Sequence, residues 1–136
     1  MTMLGMGAII GIVVVFSIVG YLTGWGIPTP YRTRPCQAAA WRREYPAASN
    51  EQIREFLSLL VRALGFRDRF KLNFAPTDRF MDLYRALYPR KNMPDGLEFE
   101  HFADLVTKRY NFNLAGAWTD ELTLGQVFAM VVRNDA

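Results

Sequence analysis

The sequence contains one cysteine, Cys36, and one histidine, His101, among its 136 residues. A single cysteine cannot form an internal disulfide, and one cysteine with one histidine cannot build a structural zinc site. Cys36 therefore has two interpretations, an ordinary thiol or a juxtamembrane palmitoylation site. We expect His101 to be a surface or half-buried residue rather than a catalytic base, and the sequence predicts neither a metal site nor a cofactor.

Charged residues are absent from the first 31 positions. Within them, Met3–Trp25 is an apolar run of 23 residues. At about 1.5 Å per residue, such a run covers the roughly 30 Å hydrocarbon core of a bilayer. Tyr21 and Trp25 lie at its C-terminal end, where aromatic rings favour the headgroup layer, and Pro28 follows as a helix breaker. No Lys or Arg precedes the run, which argues against a cleaved signal peptide. We predict a transmembrane anchor over residues 1–27.

Residues 28–48 are rich in proline and arginine and are predicted to form a juxtamembrane linker, with a short helix made possible by three consecutive alanines. Its basic residues are Arg32, Arg34, Arg42 and Arg43. The positive-inside rule then predicts a single-pass protein of the inner (cytoplasmic) membrane with a cytoplasmic C-terminal domain. The same arginines are candidates for contact with anionic lipid.

Glycines recur at helical spacing along the predicted anchor, Gly7 with Gly11 and Gly20 with Gly24. Small residues four apart allow two helix backbones to approach closely, which makes these four residues candidates for helix packing. The alternative is that they reflect only the general frequency of glycine in membrane helices.

Residues 49–136 predict a small helical domain. Ser49 with Gln52 and Thr123 with Gln126 have the spacing of capping boxes, and Gly65 is a C-terminal stop. Four helices are predicted, beginning at Ser49, at Thr77 or Asp78, near Asp95 and at Thr123. Their expected buried residues are Ile53, Phe56, Leu57, Leu60, Val61 and Leu64; Phe80, Leu83, Tyr84 and Leu87; Leu97, Phe102, Leu105, Val106 and Tyr110; Leu124, Val127, Phe128 and Val131. No segment alternates with period two, so the predicted class is all-α.

Charge is divided unevenly along this part of the chain. Residues 32–94 carry 13 Lys and Arg against 6 Asp and Glu, whereas residues 95–136 carry 3 against 7. The basic half is the half nearer the predicted membrane. Lipid or an acidic partner explains this distribution as well as nucleic acid does, and no basic stripe with interleaved aromatics points to a nucleic-acid groove.

The sequence Asp95-Gly96-Leu97-Glu98, at the start of a predicted helix, resembles the acyl carrier proteins. In that family an Asp-Ser-Leu motif opens the second major helix, and its serine carries the phosphopantetheine arm. Three other segments agree in order and spacing: residues 50–65 with the first helix, 110–114 with the turn after the second, and 121–125 with the start of the last. The resemblance implies an acyl-carrier-like four-helix bundle over residues 49–136.

Gly96 occupies the position of the family's serine and has no hydroxyl for a phosphodiester. The only serines are Ser17, Ser49 and Ser58, all far upstream. The resemblance therefore implies a carrier-like domain without its prosthetic arm. It also implies a docking surface for an arginine-rich partner, for which the candidates are Asp95, Glu98, Glu100 and Asp104. The alternative is an unrelated four-helix domain in which these carboxylates form a solvated helix face.

These patterns favour a non-catalytic accessory or assembly subunit of a membrane protein complex over an enzyme. No phosphate-binding loop, nucleophile motif or pair of carboxylates at catalytic spacing occurs. The expected partners are membrane protein subunits, contacted through the anchor and through the candidate exposed aromatics Trp41 and Trp118. The alternative function is a membrane-tethered protein that binds a lipid or acyl chain in its helical core.

Overall fold

The computed structural model describes residues 3–23, 27–87 and 97–135, with side chains described for 5–19, 27–87 and 98–135. Regular structure in these ranges is helical, which confirms the all-α class, and an isolated antiparallel bridge joins Arg79 to Thr123. In chain order the helices are α1 (Met3–Thr23), α2 (Ala38–Glu44), α3 (Asn50–Leu64), a 3-10 helix (Asp68–Asn73), α4 (Phe80–Leu87), α5 (Leu97–Tyr110), α6 (Leu114–Ala117) and α7 (Leu124–Asp135).

Two helices begin at the capping boxes that the sequence predicts. The Ser49 hydroxyl accepts a hydrogen bond from the Gln52 amide at 3.1 Å, and the Gln52 side chain accepts one from the Ser49 amide at 2.9 Å. Thr123 and Gln126 make the same pair of bonds ahead of α7. Each box satisfies two backbone donors that have no partner inside the helix. Helix α3 ends at Gly65, whose φ of 76° lies in the left-handed region that favours glycine.

An aromatic cluster joins α2, α3, α4, α5 and α7 into one core. Trp41 of α2 contacts Phe56 of α3 and Phe128 of α7, with ring centroids 6.2 and 5.6 Å apart. Phe56 also contacts Phe102 of α5, which stacks on Phe80 of α4 at 5.3 Å. Because these aromatic side chains are almost completely buried, their removal from water is a major stabilising contribution.

Most of the residues predicted to be buried are buried, and three are not. Leu64, Leu87 and Leu105 are half-buried. Leu64 and Leu87 lie in the last turns of their helices, and Leu105 packs against the core from its edge. Helix α4 begins at Phe80, later than the sequence predicts, because residues 75–78 form a turn before it. The expected helix residue Tyr88 and the expected start of the third helix at Asp95 lie outside the described residues, as does the Leu97 side chain.

Residues 28–48, predicted as a linker, contribute to the core. Tyr31 and Trp41 are buried, and Ile27 just before the segment is buried with them. The indole Nε1 of Trp41 donates a hydrogen bond to the Phe74 carbonyl at 2.8 Å. The prediction that Trp41 is exposed is therefore wrong, because the short helix α2 directs its side chain between α3 and α7. Trp118, the other candidate, is half-buried against Phe99.

The first turn of α7 lies directly on the turn that precedes α4. The Leu124 amide donates to the Asp78 carbonyl at 2.7 Å, and the Gly125 amide donates to the Pro76 carbonyl at 2.9 Å. A Cβ at position 125 would lie 2.7 Å from the Tyr45 hydroxyl and 2.9 Å from that Pro76 carbonyl oxygen. Gly125 is thus required for this close approach of two backbones.

Candidate functional site

Helix α1 presents an apolar surface to its surroundings. Its described side chains, at residues 5–19, are all exposed, including Met6 at 68% and Phe16 at 62%. The one hydroxyl among them, on Ser17, donates to the Val13 carbonyl at 2.8 Å and so makes no demand on a polar surrounding. Isolated exposed apolar residues are common on proteins, but a continuous apolar surface is typical of an interaction site.

Among the described residues, no helix combines the length and the apolarity that crossing a membrane requires. Two of the candidate helix-packing glycines, Gly7 and Gly11, lie in α1, and a methyl group added at either would meet no atom within 4 Å. Gly20 also lies in α1, and Gly24 lies outside the described residues. Helix packing through these glycines stays a prediction.

The chain that follows α1 is held against the domain by an ion pair. Both Nη atoms of Arg34 donate to the Asp78 carboxylate, at 2.6 and 3.1 Å, and the Ala75 amide donates to the same carboxylate at 2.7 Å. The Asp78 side chain is 10% exposed. Hydrogen bonding to this carboxylate raises the pKa of Arg34 above its ordinary value. Asn73 adds two bonds from its side-chain amide to the carbonyls of Tyr31 and Arg32.

The four arginines predicted to face lipid therefore differ in availability. Arg34 is committed to Asp78, and Arg32 is half-buried beside Asn73. Arg42 and Arg43, in the last turn of α2, are exposed. In that last turn the two cations also interact favourably with the helix dipole.

A basic face extends from α2 across α3 to the 3-10 helix. We define it by four exposed residues, Arg42, Arg54, Arg62 and Arg69. Arg54 and Arg62 share one face of α3, since they lie eight residues apart with Ser58 midway. This face was not predicted from the sequence. The spacing of the two arginines on α3 is the signal that predicts their common side.

The residues of the predicted acidic docking surface on α5 are described only in part. Asp95 lies outside the described residues, Glu98 is half-buried and Glu100 is exposed. Asp104 is exposed and forms an ion pair with Lys108, one turn later, at 2.9 Å. An exposed pair of this kind contributes about 0.3–0.5 kcal/mol. The exposed carboxylates remain accessible to a basic partner, and docking there stays a prediction.

An ion-pair network joins α3 to α5 and to the end of α7. The Arg109 guanidinium donates to both carboxylate oxygens of Glu55 and also contacts Asp135 at 3.4 Å. The neighbouring Tyr110 ring lies under the Arg109 guanidinium. Burial, aided by the charge of Glu55, raises the pKa of Tyr110 to about 12, and its buried hydroxyl makes no hydrogen bond among the described residues.

An apolar groove of about 420 Å³ lies between the connection from α2 to α3 and the outer side of α7. Tyr45, Pro46, Phe128, Ala129 and Val132 provide most of its apolar lining. Its volume is within the range of small-molecule sites. Burial raises the pKa of Tyr45, so this phenol stays neutral over the physiological range. The alternative function predicts an acyl site inside the helical core, whereas this groove opens at its edge.

His101 and Cys36 lie in different segments of the fold. His101 is exposed on α5, as expected, and Cys36 is an exposed free thiol. The described residues contain no group of three or more metal-ligating side chains. Gly96 lies outside the described residues. Comparisons with protein-family models, with curated proteins and with solved structures found no match, and the acyl carrier resemblance stays a prediction.

Proposed function

We propose that the protein is a non-catalytic accessory or assembly subunit of a membrane protein complex, anchored by its N-terminal segment. The observation that carries this proposal is the exposed apolar surface of α1, because contact of such a surface with water is unfavourable. Helix α1 has 21 residues, and the apolar sequence continues through Trp25, beyond the described part of the helix. A bilayer, with helices of a partner inside it, is the surrounding that fits this surface best.

The arginines that follow the anchor support a cytoplasmic position for the domain at the inner (cytoplasmic) membrane. Arg42 and Arg43 are exposed there. The domain is then an adaptor at the membrane surface.

A degenerate acyl-carrier-like bundle is the form that we propose for this domain. The order of α3, α5, the short α6 and α7 agrees with the order of segments on which the resemblance rests. Gly96 supplies no oxygen for a phosphopantetheine arm, so the proposed role is binding rather than acyl transfer. Glu98, Glu100 and Asp104, with Asp95 ahead of them, are the proposed docking surface.

The test of anchoring and assembly uses the tagged full chain in its native membrane. We expect the protein to stay in the membrane after an alkaline carbonate wash, and its release would overturn the anchor. After mild detergent extraction, the proposal requires defined membrane subunits at fixed stoichiometry and an unmodified intact mass. A lone protein with a phosphopantetheine-sized adduct would overturn the proposed function.

Two pairs of variants separate the two proposed contacts. Gly7→Leu with Gly11→Leu should reduce recovery of partner subunits while leaving the protein in the membrane, and Ile9→Leu serves as the control on the same helix. Glu100→Gln with Asp104→Asn tests the acidic surface. Its control, Asp120→Asn with Glu121→Gln, changes the net charge equally at exposed positions outside α5. Equal recovery of partners from all variants would contradict both contacts.

The apolar groove supports a second function, the binding of a lipid or acyl chain beside the membrane. Its lining residues are largely apolar, and its volume of about 420 Å³ is sufficient for a small ligand. Native mass spectrometry of the extracted protein should then detect a co-purifying lipid. Ala129→Leu, which fills the groove, should reduce the bound fraction, whereas the exposed Ala115→Leu should not. Absence of bound lipid from both the wild type and Ala115→Leu would contradict this function.

A further inference from the structure

The basic face adjoins the segment through which the chain leaves the proposed anchor. The Gln37 amide donates to the Leu72 carbonyl of the 3-10 helix at 2.7 Å, and Asn73 binds the backbone of Tyr31 and Arg32. Residues 31–37 therefore lie along the end of the 3-10 helix. Because residue 31 is only eight positions after the last residue of α1, this surface of the domain is held close to the anchor.

Contacts between elements show that α2, α3 and the 3-10 helix, which carry the four arginines, lie against one another. Arg42 and Arg54 line the same small cleft, together with Leu72 of the 3-10 helix. The Ser58 hydroxyl, between Arg54 and Arg62 on α3, donates to the Asp68 carboxylate at 2.7 Å. The side of α3 that carries the two arginines is thus turned toward the 3-10 helix.

The basic face carries a net positive charge. A carboxylate at this face, Asp68, is already held by Lys71 at 2.7 Å and by Ser58. These hydrogen bonds, with a contribution from Arg62, keep the pKa of Asp68 below its ordinary value. Arg69 lies over the half-buried Phe70 ring, with 4.6 Å from its guanidinium carbon to the ring centroid. The guanidinium groups of the basic face have the geometry that phosphate groups favour.

We propose that the basic face, Arg42, Arg54, Arg62 and Arg69, lies on the anionic phosphate headgroups of the membrane that holds α1. This inference rests on the proposed anchor. An anchored domain meets headgroups at high effective concentration through a short connection, whereas an acidic protein segment or a nucleic acid must be recruited from solution. Juxtamembrane cations also bind anionic leaflets generally, and this binding is weakened by salt. The residues proposed to contact lipid differ from those that the sequence predicts, because Arg34 is held by Asp78.

The lone cysteine allows a direct test with the full chain. Cys36 is exposed, and the next residue binds the 3-10 helix, so a label at Cys36 reports on the height of the basic face above the bilayer. The labelled protein is inserted into nanodiscs of phosphatidylcholine, alone or in equal parts with phosphatidylglycerol, with a trace of headgroup-linked quencher. We expect stronger quenching in the anionic discs, and its loss at high salt. Equal quenching in both lipids would overturn the proposal.

Charge variants test whether the basic face itself makes the contact. Arg54→Gln with Arg62→Gln should lower the ratio of docked to free domain by about 25-fold, since each cation contributes about fivefold. The control, Lys108→Gln with Arg133→Gln, removes the same charge from exposed positions on α5 and α7 and should leave docking nearly unchanged. Circular dichroism verifies that both variants are folded. Equal loss in the two variants would overturn the assignment to this face.

Two further outcomes are distinguishable from these. If the labelled chain does not remain in nanodiscs of either composition, the anchor has failed and the headgroup site falls with it. If a single-stranded oligonucleotide at the same salt displaces the domain from anionic discs and binds more tightly than the lipid, the face is a nucleic-acid surface. That result would overturn the lipid assignment while leaving the anchor intact.

Discussion

Trp41 connects residues 28–48 to the domain core, and Trp41→Ala should be strongly destabilising. Its side chain is completely buried against Tyr45, Phe56 and Phe128, and its indole nitrogen binds the Phe74 carbonyl. Truncation of a buried Trp to Ala costs about 3–5 kcal/mol. Against a total stability of about 5–15 kcal/mol for a small domain, this is a large fraction. Trp41→Phe retains a ring but leaves the Phe74 carbonyl without its donor, which costs about 1–3 kcal/mol.

The assay is urea-induced unfolding of the full chain in mild detergent, followed by near-ultraviolet circular dichroism. With a urea dependence of about 1–3 kcal/mol per molar, Trp41→Ala should lower the unfolding midpoint by about 1–5 M. Trp118→Ala is the matched control, because Trp118 is half-buried and contacts Phe99 at the edge of the core. It should produce a clearly smaller shift. An unchanged midpoint for Trp41→Ala would refute the conclusion that residues 28–48 belong to the core.

Substitutions at three other positions test contacts at particular atoms. Gly125→Ala should destabilise the domain by about 1–3 kcal/mol in the same urea assay, because its Cβ would clash with the Tyr45 hydroxyl and the adjacent backbone. Asp78→Ala should cost about 2–4 kcal/mol by loss of its bonds to Arg34 and a buried amide, and Asp78→Asn should cost less. Unfolding midpoints equal to that of the wild type in both variants would contradict the ion pair. Tyr110→Phe should be neutral or stabilising at pH 7, because it removes a buried hydroxyl that makes no hydrogen bond among the described residues. The pKa of Tyr110 is raised in the folded state, so ionisation of this phenol favours the unfolded state, and stability should fall as the pH rises from about 10, the unfolded pKa, toward 12. A pH titration of stability should therefore decline less steeply above pH 10 in Tyr110→Phe than in the wild type, and a parallel decline would contradict the assignment.

Local patterns in the sequence predicted the helices because helix formation depends on residues three or four positions apart. The capping boxes at Ser49 and Thr123 and the stop at Gly65 needed no tertiary information, and the structure has all three. The buried stripe of α7 likewise follows from its 3.6-residue period. These elements could be predicted because each depends on contacts within one segment.

Local sequence patterns do not predict long-range contacts. Arg34 and Asp78 are 44 positions apart, and no local period relates them. The burial of Trp41 depends on Phe74 and Phe128, which belong to elements far along the chain. For this reason a proline- and arginine-rich segment was predicted as a linker although it supplies part of the core. The apolar groove was missed for the same reason, since its two walls come from segments about 80 residues apart.

The charge asymmetry of the sequence has a physical counterpart in the fold. Helices α2 and α3 and the 3-10 helix contribute the exposed arginines of the basic face, whereas α5 contributes Glu100 and Asp104. Arg109, reaching from α5 to Glu55 of α3, neutralises charge where the two halves meet. If the basic face lies on headgroups, repulsion between carboxylates and the same anionic surface favours an orientation with α5 turned away from the bilayer. The acidic surface is then presented to the cytoplasm, where a basic partner can reach it. One charge distribution would thus serve both proposed contacts, with lipid setting the orientation in which the domain meets its partner.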